Sequence, residues 1–214
     1  MRINEVITND IDQRLMPYVK KILAHCKPYL QAISYDPIQF PLWRGIQSPT
    51  TKEFLVLQCP VNRQPMDTQQ YVHGVADNYF EKNFGVAYRS NAFFATGSEA
   101  VAADYGSEAG GSNILLFPID NFSYVWSEHY HDLYHTFNDR FPWRDEMRSN
   151  PVMYRNAIVA FLDDGMYVNH SIKRAIHIGC EIMVHCGAAY GINQSALEGE
   201  EYRVLELIKQ NGTA

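Results

Sequence analysis

Apolar runs in this chain are short, and turn residues bound nearly all of them. Residues 42–46, 54–57, 93–96, 113–118, 122–126 and 181–186 read as strands. Between these runs apolar residues recur at helical spacing. Ile11, Leu15, Val19, Ile22, Leu23 and Cys26 form one stripe, in which Pro17 predicts a kink or a helix start near Met16. Val72, Val75, Ala76, Tyr79 and Phe80 form another, with Asp67 as N-cap, Gln70 as its capping-box partner and Gly85 as the stop. A brief helix is expected after Ser98, closing at Tyr105 and Gly106, and a flexible loop at Gly106, Gly110 and Gly111. Helices are expected over 128–139, 151–163, 169–178 and 198–210, the last with a strand left open. Pro28, Pro37 and Pro41 mark an irregular connection. Helix, strands, helix, strands, helices and strand, in that order, predict a mixed α+β fold.

With 214 residues, 46% apolar and 20% charged, the chain has material for one globular domain. That domain is expected to span 1–214, with 1–40 as an N-terminal helical extension. The net charge is −6 and no Lys/Arg run is long enough for a nucleic-acid footprint, which argues against tight non-specific DNA binding. No apolar stretch approaches the roughly 20 residues of a membrane span, and the charged opening does not read as a signal peptide. A cytoplasmic location is the expectation. Cys26, Cys59, Cys180 and Cys186 form no CxxC pair. Cys180 and Cys186 read as buried small hydrophobes.

Three segments carry the chemistry: Leu42-Trp43-Arg44-Gly45-Ile46, Ala92-Phe93-Phe94-Ala95-Thr96-Gly97-Ser98 and Cys180-Glu181-Ile182-Met183-Val184. Taken singly, each has a plain structural explanation. Arg44 could end a strand in a salt bridge, Ser98 could cap a helix, the aromatics could fill a core, and Glu181 could be solvated. In this order they resemble the Arg / Ser-Thr-Ser / Glu core of mono-ADP-ribosyltransferases. The stretch from Tyr88 to Gly106 resembles the family's strand, Ser-Thr-Ser and short-helix passage, and the similarity covers roughly residues 40–192.

The resemblance implies a split β-sheet core with flanking helices, and NAD as co-substrate. It implies that Arg44 anchors the dinucleotide through paired hydrogen bonds and that Gly45 lets the ligand approach the backbone. Thr96 or Ser98 orients the catalytic carboxylate, Phe94 and Tyr105 supply apolar or stacking surface, and Glu181 stabilises the oxocarbenium-like transition state. Two departures from the family pattern stand out, the first bearing on the orienting hydroxyl and the second on the acceptor. The triad reads Ala95-Thr96-Gly97 with Ser98 one place on, and Gly179 stands where arginine-modifying members carry a second glutamate. The implied activity is therefore ADP-ribose transfer to a macromolecular acceptor other than arginine, protein or nucleic acid. By analogy with phage and toxin members of the family, an effector role with a neutralising antitoxin partner follows. The alternatives are an NAD glycohydrolase and a non-catalytic binding protein on the same scaffold. His131 and His135 would share one helix face, but the cluster lacks the HExxH glutamate, and no metal is expected.

Overall fold

A computed structural model describes residues 3–65, 68–107, 111–141 and 150–212. The α+β class expected from the sequence is what it shows. In chain order the elements are α1 (Ile3–His25), α2 (Lys27–Ala32), β1 (Trp43–Ile46), β2 (Phe54–Gln58), α3 (Gln70–Phe84), α4 (Tyr88–Asn91), β3 (Phe93–Thr96) and α5 (Glu99–Ser107). Then come β4 (Ser112–Pro118), β5 (Phe122–Trp126), α6 (Leu133–Arg140), α7 (Pro151–Asp164), α8 (Ile172–Ile178), β6 (Glu181–Cys186), β7 (Ala188–Asn193), α9 (Gln194–Leu197) and α10 (Glu201–Gly212). No described helix is long and apolar enough to cross a membrane.

The chain forms two compact units. The first comprises Met1–Gln58, Gly97–Phe122 and Cys186–Ala214, and the second Cys59–Thr96 and Ser123–His185. In the first, β2, β7, β4 and β1 lie side by side in that order, with β2–β7, β7–β4 and β4–β1 all antiparallel. All seven residues of β4 are buried, which is why its sequence reads as a continuous apolar run rather than an alternation. Leu15, Val19 and Ile22 of α1 and Val204, Leu205 and Ile208 of α10 are fully buried. Arg203 clamps Asp12 through two hydrogen bonds of 2.7 and 2.6 Å.

In the second unit β6 lies between β3 and β5. Its core gathers Val72, Ala76 and Phe80 of α3 with Tyr88, Phe137, Ile158, Leu162 and Met183. α3 ends as expected, at Gly85 in the left-handed conformation (φ 80°). The expected cap at Asp67 lies outside the described residues.

Four expectations are corrected. α1 runs through Pro17 rather than starting near Met16, because the buried stripe on both sides of the proline outweighs the one lost hydrogen bond. The expected irregular stretch after Pro28 begins as the short helix α2, with the proline in its first turn. β7 was not expected: its alanines and glycine have low strand propensity, yet it pairs with both β2 and β4. The helix expected over 128–139 starts only at Leu133. The Ser127 hydroxyl accepts from the backbone N–H of His129 and of Tyr130 (3.0 and 3.1 Å), folding that stretch into a turn. His131 therefore precedes the helix rather than lying on it.

Candidate active site

Glu181 opens β6. α8 stops at Gly179, which is left-handed (φ 76°) and returns its N–H to the carbonyls of Ala175 and Ile176. The chain then turns through buried Cys180 into the strand. Two bonds fix this entry. The Thr96 hydroxyl donates to the Gly179 carbonyl at 2.8 Å, and the Glu181 N–H donates to the His131 carbonyl at 2.8 Å. In the antiparallel register Thr96 faces Glu181 and Phe94 faces Met183, so all four side chains share one face of the β3–β6 pair. Thr96 is thus the hydroxyl beside Glu181, and it braces the backbone two residues upstream of it. Met183 on this face belongs to the core of the second unit, which draws Glu181 inward and leaves its side chain only 12% exposed.

Burial dominates the electrostatics of Glu181 and pushes its carboxyl up to about 7. The Arg89 guanidinium opposes that rise, as do Arg63 and the N–H of Leu133 at the start of α6, while Asp132 reinforces it. Arg89 Nη1 lies 3.5 Å from a Glu181 carboxylate oxygen. The Arg89 guanidinium sits 4.7 Å from the Phe94 ring centre and that of Arg63 4.0 Å from it, within cation–π range. Arg63 also donates to the Arg89 carbonyl at 2.6 Å. Burial lowers the Arg63 pKa to about 10, and the neighbouring charge of Arg89 adds to the shift.

α3 and α4 hold these arginines through a second polar cluster. Ser90 donates its N–H (3.1 Å) and its hydroxyl (2.5 Å) to Asp77, and His73 Nε2 lies 2.9 Å from the same hydroxyl. The Arg63 N–H donates to the Ser90 carbonyl at 3.1 Å. Serine, histidine and aspartate meet here without forming a nucleophilic triad. The aspartate approaches the same ring nitrogen as the serine, at 3.2 Å, so it cannot orient the imidazole from the far side.

The other residues singled out in the sequence lie in the first unit. Arg44 is at the centre of β1 opposite Ile114, half-buried, on the opposite strand face from Trp43 and Gly45. Gly45 sits against α5: a Cβ there would strike the Ala102 carbonyl and the Gly106 N–H. The close approach expected of a ligand is made by the helix. Ser98 caps α5, accepting from the Val101 N–H at 3.3 Å. Tyr105 is 40% exposed on the same helix. Among the described residues no group of three or more His, Cys, Asp or Glu side chains is placed to hold a metal ion.

Protein-family models, curated proteins and solved structures were each compared with the chain, and none matches. The assignment of function therefore rests on the residues themselves. Sequence reasoning missed Arg63 and Arg89. Arg89 stands in the segment already quoted for the hydroxyl strand, but a single arginine ahead of an aromatic pair has no spacing that marks it. Arg63 lies in an irregular stretch with no periodicity at all.

Proposed function

We propose that the chain is an NAD-dependent mono-ADP-ribosyltransferase on an ADP-ribosyltransferase-like split-sheet core, moving ADP-ribose to a macromolecular acceptor other than arginine. The observation that carries this reading is Glu181: a strand-opening glutamate, 12% exposed, paired in register with Thr96 and titrating near neutrality. Structural glutamates at strand starts are normally solvated, and a carboxyl held partly desolvated beside a hydroxyl marks a functional site. The chain order of Arg44, Thr96 and Glu181, on β1, β3 and β6, adds to that support.

In this reading Arg44 anchors the phosphates of NAD with its planar fork. The Glu181 carboxylate accepts from a hydroxyl of the nicotinamide ribose, and its charge offsets the positive charge that grows on the anomeric carbon. Nicotinamide leaves as a neutral group with the bonding electron pair, and an acceptor nucleophile forms the new bond. Thr96 is a positioning residue that acts through the Gly179 carbonyl.

The test follows labelled NAD with wild type and Glu181→Gln, in buffer and in cell lysate. Label moving onto protein or nucleic acid, and falling roughly 10²–10³-fold in the variant, is the expected result. Nicotinamide release in buffer without labelling would instead make the chain a glycohydrolase. No turnover under either condition would overturn the enzymatic reading.

A further inference from the structure

We propose that Arg89 and Arg63, on the second unit beside Glu181, form a binding site for a phosphate monoester group separate from the pyrophosphate of a dinucleotide. Arg89 is 4% exposed, and among the described residues its Nε and Nη1 have no hydrogen-bond partner. A buried cation with unfilled N–H groups is costly, and such groups in a folded protein call for a cause. Oxygen atoms of a bound ligand supply one. The Tyr167 hydroxyl, on a residue 9% exposed, also has no partner among the described residues. Its titration responds to both Glu181 and Arg89, so it belongs to the same neighbourhood.

Charge points the same way. Two guanidiniums share the Phe94 ring, and their mutual repulsion is felt at Arg63. Glu181 offsets one of them. The Asp77 carboxylate takes hydrogen bonds from Ser90 and faces His73. Among the described residues Glu181 is in ion-pair range of Arg89, while Arg63 feels Asp77 and Glu181 without a salt bridge to either. The donor atoms without a hydrogen bond are two guanidinium nitrogens and a hydroxyl oxygen, which suits a tetrahedral anion with three accepting oxygens better than a carboxylate with two.

Under the transferase reading the bound group is a phosphate carried by the acceptor, and that role rests on the reading. The binding site does not, and its test uses no NAD. Inorganic phosphate is titrated into the full chain, followed by calorimetry and by the arginine Nε–H resonances in nitrogen-15 NMR. Saturable binding that shifts the Arg89 resonance is expected, weakened about tenfold or more in Arg63→Gln and in Arg89→Gln. Arg89→Lys should fall between, since it keeps the cation and loses the fork. Arg174→Gln, an exposed arginine paired with Glu128, should bind as wild type does. Arg63 is only half-buried, so its variant keeps the test open if Arg89→Gln fails to fold. The proposal is overturned by no saturable binding, by equal affinity in wild type and Arg63→Gln, or by tighter binding of acetate than of phosphate. Displacement of phosphate by ADP-ribose would also overturn it, by giving the site to a dinucleotide. Failure here leaves the labelling result standing, and loss of labelling leaves this titration standing.

Discussion

Glu181 destabilises the fold that contains it. An ordinary glutamate titrates near 4.5 and this one near 7, so between those values the folded chain holds a proton that the unfolded chain releases. Stability is therefore undiminished by this group below about pH 4.5, declines as the pH rises through the interval, and is lowest above about 7. A shift of that size corresponds to about 3 kcal/mol. Glu181→Gln keeps the shape and removes the charge, so it should melt roughly 5–10 °C above wild type at pH 8, with the gap cut to about a quarter at pH 5 and closed below about pH 4. Calorimetry at the two values decides it, and equal melting temperatures at pH 8 would show a carboxylate carried without penalty. The groups facing it are Arg89 and Arg63 on the favourable side and Asp132 on the unfavourable side. A glutamate that loses activity and gains stability on neutralisation is the behaviour of a functional residue rather than a structural one. The sequence made Glu181 visible because an apolar run follows it directly. It hid Arg89 and Arg63, since their relation to Glu181 exists only once β3 has paired with β6 and α4 has been tied to α3 through Ser90 and Asp77.

Gly45 shows the same division at the level of elements. In the sequence it is a glycine beside an arginine, which invites a ligand. In the fold β1 and α5 pack so closely that the glycine is the contact itself. Gly45→Ala would push a methyl group into the Ala102 carbonyl and the Gly106 N–H, backbone atoms that cannot rotate away. Overpacking of this kind costs about 1–3 kcal/mol, and the upper end is expected here. The denaturant midpoint should fall without a change in slope, whereas a midpoint equal to wild type would mean that α5 lifts off β1 without cost. Strands with aromatic or β-branched runs, β3 and β4 among them, were legible because their side chains advertise burial. β7 was not, since small residues such as Ala189 and Gly191 earn their place by letting β2 and β4 pair on either side. At Pro17 the helix start near Met16 gave way to the opposite influence, the stripe of Leu15, Val19 and Ile22, all fully buried.

At the scale of the whole chain, the first unit is assembled from three separated segments, and this changes the standing of its N-terminal part. Residues 1–40 fall outside the resemblance that suggested a function, and sequence reasoning treated them as an extension. The structure instead puts α1 inside the first unit's core. Burying Leu15, Val19 and Ile22 contributes together roughly 5–9 kcal/mol, against the 5–15 kcal/mol or so by which whole domains are stable. Asp12 of α1 and Arg203 of α10 are 191 residues apart in the chain and meet through two hydrogen bonds, so α1 closes the unit as well as filling it. Deleting residues 1–26 should therefore leave the first unit unfolded, with α10 losing the surface it packs on. Proton NMR of the truncated chain would show collapsed dispersion for the indole and methyl signals of that unit, Trp43 among them. A truncated chain with native dispersion would mean that β1, β2, β4, β7 and α10 bury enough surface among themselves, and α1 would then be an appendage after all. The contrast with Gly45→Ala is one of reach: the glycine substitution strains a single strand–helix contact, while the deletion removes a wall of the core.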